Sequence, residues 1–174
     1  IAARTKGVYF GNFVDPALAA AAHAHGIGEG FVAEFNRAGA DMFGERFSVP
    51  ARVIALTDGR VVGRRGIYKG RSVELGLTAA LEVGGITIIV ASQRKQCADP
   101  VFFEMHGLDL ARATAVAVKS RGHFRAGFDE FFAPDCVFEI DTGGLTAPVL
   151  ERITFKHLPR PVFPLDPETV WTAP

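Results

Sequence analysis

Side chains able to bind or transform a ligand gather in one short segment, residues 118–125. The segment reads Val-Lys-Ser-Arg-Gly-His-Phe-Arg and joins an apolar run, predicted as a strand, to a predicted helix. In α/β sheets, ligands bind in the crevice outside the carboxyl ends of strands. Lys119 and Arg125 supply positive charge there, beside the free backbone N–H groups of a helix start, which suits a carboxylate or phosphate. The segment is therefore a candidate anion-binding site.

Two further side chains of this segment can take part in chemistry. Ser120 can cap the helix, and His123 lies in its first turn, where a neutral imidazole can act as a base, a hydrogen-bond partner or a metal ligand. The alternative is structural: Ser120 only caps the helix, Lys119 is solvated and His123 is half-buried. The residues alone leave both alternatives open. The candidate cleft residues are Lys119, Ser120, His123 and Arg125.

A second candidate is the run of cations between Gly59 and Ser72, which contains no acidic residue. Such a run on a hairpin could dock a phosphate, an acidic partner or a carboxylate substrate. A solvated sheet edge that resists aggregation is the favoured interpretation. The five cations are Arg60, Arg64, Arg65, Lys69 and Arg71.

The pair His23 and His25 resembles a metal-chelating motif but lies at the end of an alanine-rich predicted helix. Positions two apart on a helix point roughly 200° away from each other, so the two rings cannot share one ion. The end of a helix favours a cationic histidine, and this role suffices to explain both.

The first 48 residues predict a strand, a turn and a helix. Val8 to Phe10 form the strand, and the dipeptide Gly11-Asn12 is expected to break it. Asp15 is a typical N-cap and Pro16 a typical first helical residue, and the helix is expected to stop at Gly26. Residues 1–7 read as the end of a preceding helix, so we expect this chain to be a piece of a longer protein.

The middle of the chain, about residues 49–93, changes to a period of two and predicts β-hairpins. Asp58-Gly59 is a typical hairpin turn between two apolar runs. Residues 73–83 alternate apolar and other side chains, which predicts one long strand with a single buried face. Gly84-Gly85 then predicts a tight turn into a strand over 86–90.

The α/β pattern returns after residue 97. Asp99-Pro100 predicts a short helix to about His106, and the apolar run 113–118 predicts a buried strand of a parallel sheet. A helix follows, with Phe124, Phe128, Phe131 and Phe132 on one apolar face, and a strand is expected over 136–140.

The fold class predicted from these elements is α/β, with a mixed sheet built from strand-helix units and an inserted β-hairpin region. Within a single domain over 1–174, we expect an α/β core over 1–48 and 97–158. The hairpin insertion covers 49–96, and the tail over 159–174 is expected to be extended.

Composition excludes several functional classes. Nineteen basic and nineteen acidic residues give zero net charge, which argues against a nucleic-acid-binding protein. No apolar run approaches the ~18 residues of a membrane span, so no membrane partner is expected. Two cysteines without paired spacing make neither a disulfide framework nor a zinc knuckle, and a cytoplasmic location is the expectation.

Three motifs in order carry a resemblance to a known family. They are Lys119-Ser120-x-x-His123-Phe124-Arg125, the run Glu139-Ile140-Asp141-Thr142-x-Gly144-Leu145-Thr146, and Arg160-Pro161-Val162-Phe163-Pro164-Leu165-Asp166. Together they resemble the C-terminal domain of the microcystinase C (MlrC) family, and the resemblance extends over nearly all of residues 7–166.

The resemblance implies a zinc-dependent peptidase, named for a member that cleaves linearised microcystin. In that family the metal ligands lie in a larger N-terminal domain, which we expect outside this chain, so no metal ligand is assigned here. The implied partners are that N-terminal domain and a peptide or small anionic substrate, and a homodimer is possible. The alternative function is a non-catalytic assembly or ligand-binding domain.

Overall fold

A computed structural model describes residues 6–37, 44–120, 122–140 and 149–172. The predicted α/β class with a mixed sheet is confirmed. The strands are β1 (Val8–Val14), β2 (Gly30–Phe35), β3 (Phe47–Thr57), β4 (Arg60–Val62), β5 (Ser72–Glu74), β6 (Thr78–Val83), β7 (Ile86–Ala91) and β8 (Ala115–Val118). The α-helices are α1 (Pro16–His25), α2 (Val101–Glu104) and α3 (Arg125–Phe128).

Six of the strands form one sheet in the order β2-β3-β6-β7-β1-β8, and β4 and β5 form a separate antiparallel pair. Within the large sheet, β1 runs parallel to both β7 and β8, whereas the other neighbours are antiparallel. The strands of the predicted hairpin region thus supply the middle of the same sheet. Because β7, β1 and β8 are parallel, their carboxyl ends lie at one edge.

The first strand and helix form largely as predicted. Asp15 caps α1 by accepting a 2.8 Å hydrogen bond from the Leu18 N–H, and the helix ends before Gly26, whose φ is +92°. Through Leu18, helix α1 packs against one face of the sheet. The prediction that Gly11-Asn12 breaks β1 is wrong. The dipeptide produces an irregularity in the pairing of β1 with β7, and the strand continues to Val14.

The turn at Gly84-Gly85 joins β6 and β7 as a hairpin, which confirms that prediction. The hairpin predicted at Asp58-Gly59 is wrong, since β3 pairs with β2 and β6 while β4 pairs with β5. The single strand predicted over 73–83 is divided at Gly76 into β5 and β6, which belong to different sheets.

Both faces of β6 are buried, rather than the one face that alternation predicted. Leu81 packs in the cluster beneath α1, and Ala80 packs in a second cluster on the opposite face. Layers on both sides of the sheet explain this difference. The second cluster includes Phe102, Phe103 and Phe128, all 5% exposed or less, so we call it the phenylalanine cluster.

The predicted apolar face of the second-half helix packs as expected, but the helix itself is shorter. Phe124, Phe131 and Phe132 are partly buried against the phenylalanine cluster, although α3 spans only four residues. Turns continue the chain beyond it.

Of two strand predictions in the second half, one is confirmed in part and one is wrong. The run 113–118 forms the predicted parallel strand as β8, but β8 lies at the edge of the sheet and is not buried, since Ala115 and Ala117 are exposed. Residues 136–140 form no strand: Pro134–Cys136 is a 3₁₀ turn, and Phe138 and Ile140 are about 80% exposed. Local apolar composition favoured a strand there, but no neighbouring strand pairs with it in the described residues.

A chain of buried hydrogen bonds joins β3, β6 and α2. The Phe102 carbonyl accepts from His106 Nδ1 at 3.0 Å, so the proton of the neutral ring lies on Nδ1. His106 Nε2 therefore accepts from the Thr78 hydroxyl at 2.9 Å, and Thr78 accepts from Thr57 at 2.7 Å. Burial lowers the pKa of His106 from 6.5 to about 4, which keeps the ring neutral.

Stability should therefore fall on mild acidification. The unfolded chain protonates His106 near pH 6.5 and the folded chain only near pH 4, so the stabilisation is complete above about pH 6.5 and is lost between these values. Between about pH 7.5 and about pH 5, we expect the free energy of unfolding to fall by about 2 kcal/mol because of this residue. Urea unfolding of His106→Gln should lack that component.

The control is His25→Gln, because His25 is exposed and stacks on Phe31 at a centroid distance of 4.8 Å. This variant should keep the pH dependence of the parent chain. An equal pH dependence in His106→Gln and the parent chain would contradict the assignment.

Candidate functional site

The candidate site lies at the edge where the parallel strands β7, β1 and β8 end. Gly11 of β1 is level with Val118 of β8, the residue before Lys119. On the other side of β1, strand β7 leads into the loop 92–99. The two segments that leave this edge therefore face each other across the end of β1, as expected for a ligand site in an α/β sheet.

The side-chain amide of Gln96 joins the two segments. Its Nε2 donates to Ser120 Oγ at 2.7 Å, and its Oε1 lies 3.1 Å from His123 Nδ1. Ser120 Oγ also accepts from the Phe124 N–H at 3.2 Å. Phe124 itself is the N-cap of α3 and no side chain caps that helix, so the predicted capping by Ser120 is wrong. Gln96 and Ser120 are half-buried, whereas His123 is exposed.

The buried carboxylate of Asp99 anchors the loop that carries Gln96. Asp99 is fully buried, and its Oδ2 accepts from the backbone N–H groups of Arg64 at 2.7 Å and Arg65 at 2.8 Å. Its Oδ1 accepts from the Val101 N–H at 3.0 Å. One side chain thus ties the loop to the start of α2 and to the chain that follows β4.

Two glycines allow close approaches beneath the site. A Cβ at Gly127 would lie 2.3 Å from the Ala98 carbonyl oxygen, so only glycine lets α3 pack against loop 92–99. A Cβ at Gly11 would lie 2.5 Å from the Phe103 ring and 3.1 Å from Cys97 Sγ. The loop, β1 and α3 are therefore packed against one another at the point where Gln96 reaches Ser120.

Three exposed cations flank this group, namely Arg94, Lys95 and Lys119. None of them forms an ion pair within the part of the chain that the structure describes. Asp15, the acid that follows β1, is already engaged by Leu18 and by Arg37 at 3.1 Å. The edge therefore carries positive charge available to an anionic group.

Arg125 is placed differently from the other predicted site residues. Its guanidinium pairs with Glu139 at 2.5 Å and lies over the Phe124 ring. Its predicted role at the cleft stays a prediction. The helix that was expected to contribute its dipole, α3, has only one turn, so the dipole argument has little force.

Asn12 lies in β1 at the same edge. Its Nδ2 is buried and has no hydrogen-bond partner within the described residues. An unpaired buried donor is costly and uncommon, at about 1–3 kcal/mol. Asn12 thus carries an unused donor in the strand that ends at this edge.

The basic run between Gly59 and Ser72 divides into two groups: Arg60, Lys69 and Arg71 are exposed, as the favoured interpretation expects, whereas Arg64 and Arg65 are held in ion pairs. Arg64 pairs with Glu104 at 2.7 Å and with Glu130, and Arg65 pairs with Asp129 at 2.5 Å. The Arg64 side chain lowers the pKa of Glu130. These arginines tie the segment after β4 to α2 and the turn after α3, because acids distant in sequence meet them.

The remaining sequence candidates do not form a metal centre. His23 Nε2 lies 3.0 Å from the Thr78 carbonyl, while His25 stacks on Phe31, so the two rings have separate partners. No group of three or more His, Cys, Asp or Glu side chains suited to a metal occurs among the described residues. Nor does any helix in these residues have the length and apolarity needed to cross a membrane.

Parts of the family motifs, namely Arg121 and residues 141–146, lie outside the described residues. So do residues 1–5, where the end of a preceding helix was predicted. In the tail, Arg160 forms an ion pair with Asp166, and Asp166 also accepts from the Val162 N–H at 2.7 Å. These contacts within residues 160–166 close this motif into a turn. The chain around it exposes Phe163 and Trp171 by more than 70%.

Gln96 is the site residue that the sequence did not reveal. Pattern analysis assigned its loop to the end of a hairpin region, so its position beside Lys119 and Ser120 was not considered. The available signal was the apolar run of β7, which reads equally well as a parallel strand. A parallel β7 would have placed the loop after it at the same edge as Ser120.

Comparisons with known proteins give a family for this chain and a solved structure with a similar fold. Residues 1–157 match the family described as the MlrC C-terminus. A crystal structure of a protein from Mesorhizobium sp. BNC1, described as a proposed metallopeptidase, has a TM-score of 0.78 and 24% identity, covering 97% of this chain and 33% of that chain. That likeness shows a shared fold, and this chain spans about a third of that protein's length. No curated protein gives a significant match.

Replacing the anchor of the site loop should be strongly destabilising. Asp99→Ala removes the acceptor of three backbone N–H groups, and we expect a loss of at least about 3 kcal/mol of unfolding free energy. Asp109→Ala is the matched control, because Asp109 is exposed and accepts from one backbone N–H, that of Ala111. It should lose about 1 kcal/mol or less. Equal losses in urea unfolding would contradict the anchoring role.

Packing of loop 92–99 can also be tested through its thiol. Cys97 is 1% exposed and burial raises the pKa of its thiol, whereas Cys136 is exposed. With a disulfide reagent, one thiol should react rapidly in the native chain and the second only after denaturation. Cys136→Ser should abolish the fast phase. Two rapidly reacting thiols would show that the loop is open.

Proposed function

This chain belongs to the MlrC C-terminus family, and on that premise we propose that it forms one side of the substrate cleft of a metal-dependent peptidase. A C-terminal family implies an N-terminal partner domain in the same protein. The description of the Mesorhizobium protein as a proposed metallopeptidase supports the same reaction class. The cleft would form where the edge carrying Gln96, Ser120 and His123 meets that partner.

The observation that carries the proposal is the hydrogen-bonded group of Gln96, Ser120 and His123 at the carboxyl ends of parallel strands. Its half-buried members hold the exposed His123 in place, and Lys119 stands next to Ser120 with no ion-pair partner among the described residues. A structural role alone does not require an exposed histidine that is held by a half-buried amide. A substrate group would find a prepared set of donors and acceptors here.

We assign separate roles to the three side chains. Lys119 binds a carboxylate or carbonyl oxygen of the peptide through charge. Ser120 offers its hydroxyl hydrogen, because its oxygen already accepts two hydrogen bonds. His123 offers a ring nitrogen as a hydrogen-bond partner or base.

Zinc is the proposed metal, on the family resemblance alone. The described residues contain no cluster suited to hold it, so its ligands are expected in the N-terminal domain. No step of the reaction is assigned to the metal from this chain. A peptide or small anionic substrate, a homodimer and the cytoplasmic location likewise stay predictions.

The test uses the full-length protein and short linear peptides, with cleavage followed by mass spectrometry. Lys119→Ala should lower kcat/KM by about tenfold to a hundredfold, because it removes a charge-assisted hydrogen bond. His123→Ala should lower it by at least about a hundredfold if the ring acts as a base. The bound metal should be unchanged in both variants.

The matched control is Lys6→Ala, because Lys6 is exposed and precedes β1, at the opposite end of the parallel strands from the candidate site. That variant should retain the parent activity. A folded His123→Ala protein that keeps its metal and cleaves peptides at the parent rate would overturn the proposed role.

A further inference from the structure

The amide of Gln96 determines which nitrogen of the His123 ring carries the hydrogen and which one faces the cleft. We propose that Gln96 is a positioning residue that holds His123 as the Nδ1–H tautomer and thereby presents the Nε2 lone pair to substrate. That a substrate uses this lone pair rests on the proposed function. The tautomer itself does not, since it follows from contacts within this chain.

The argument begins with Ser120. Its oxygen accepts from the Gln96 amide at 2.7 Å and from the Phe124 N–H at 3.2 Å. A hydroxyl oxygen has two acceptor positions, so both are used. The structure thus places the NH₂ group of Gln96 toward Ser120. The opposite arrangement, in which the Ser120 hydroxyl donates to Gln96 Oε1, would reverse the tautomer of His123, and the measurement below distinguishes the two.

The other end of the same amide then fixes the histidine. Because the NH₂ group faces Ser120, the carbonyl oxygen of Gln96 faces His123 Nδ1 at 3.1 Å. A carbonyl oxygen can only accept, so Nδ1 must carry the hydrogen. The tautomer of a histidine is set by the hydrogen bond that one ring nitrogen makes. Nε2 is left as the acceptor of the neutral ring.

Nε2 has no hydrogen-bond partner within the described residues, and His123 is exposed. The edge thus offers an acceptor at His123 beside donors at Ser120 and Lys119. A peptide group has the complementary pair, an N–H donor and a carbonyl acceptor. The ligand class that fits this arrangement is a peptide segment bound through its backbone, with any carboxylate directed to Lys119.

Nuclear magnetic resonance of the ¹⁵N-labelled chain tests the tautomer directly. Long-range ¹H–¹⁵N correlations are recorded at about pH 8.5, about two units above the ordinary pKa of histidine, so the rings are neutral. His123→Ala identifies the signals of His123. The expected result is a majority of the Nδ1–H form in the parent chain. A majority of Nε2–H would overturn the proposal, since it would mean a reversed Gln96 amide.

Variants at residue 96 separate positioning from folding. Gln96→Ala should make Nε2–H the major form, whereas Gln96→Glu keeps an oxygen acceptor and should keep Nδ1–H. Gln93→Ala is the matched control, because Gln93 is an exposed glutamine of the same loop and should leave the tautomer unchanged. Backbone amide spectra report whether each variant folds. An unchanged tautomer in folded Gln96→Ala would overturn the proposal.

Kinetics of the full-length protein test whether Gln96 acts through His123. On short linear peptides, Gln96→Ala should lower kcat/KM, and the double variant with His123→Ala should lose no more than His123→Ala alone. An additive loss would overturn the positioning role. If His123→Ala has no effect on cleavage, the proposed function fails. The assignment of the tautomer is then decided separately by the resonance measurement on this chain.

Discussion

The buried carboxylate of Asp99 is the interaction on which the candidate site depends. A fully buried carboxylate is costly unless it is hydrogen-bonded, and here its two oxygens accept from three backbone N–H groups on two segments. Because Asp99 cannot move, the Ala98 carbonyl is fixed, and Gly127 brings α3 against it. Gln96 precedes this anchor by three residues, so its amide reaches Ser120 and His123 from a rigid base.

The sheet topology explains why residues 24 or more positions apart form one group. Strand β1 lies between β7 and β8 and is parallel to both, so the chain leaves β7 and β8 on the same side. An antiparallel β8 would have sent Lys119 and Ser120 to the opposite edge. The pairing of one central strand thus creates the site, and the hydrogen bonds of Gln96 only complete it.

Local signals predicted the elements whose causes are local. Asp15, Pro16 and Gly26 define α1 within a few residues, and Gly84-Gly85 defines the β6–β7 turn. The strand expected over 136–140 failed because a strand needs a partner, which apolar composition does not supply. The Asp58-Gly59 hairpin failed because β2 and β6 pair with β3 instead. The partners of Arg64 and Gln96 lie 24 to 66 residues away, so no pattern along the chain could indicate them.

The candidate site is open to solvent and is not an enclosed pocket within the described residues. His123 and Lys119 are exposed, and charge-based recognition weakens when water surrounds both partners. Peptide hydrolysis in an active site depends on excluding bulk water and on aligning the reacting groups. This chain provides a fixed histidine, a hydroxyl and positive charge, but within the described residues it provides no cover and no metal ligands. Under the proposed function, those two parts are what an N-terminal domain of the same protein would supply, and the edge described here would supply the positioning groups.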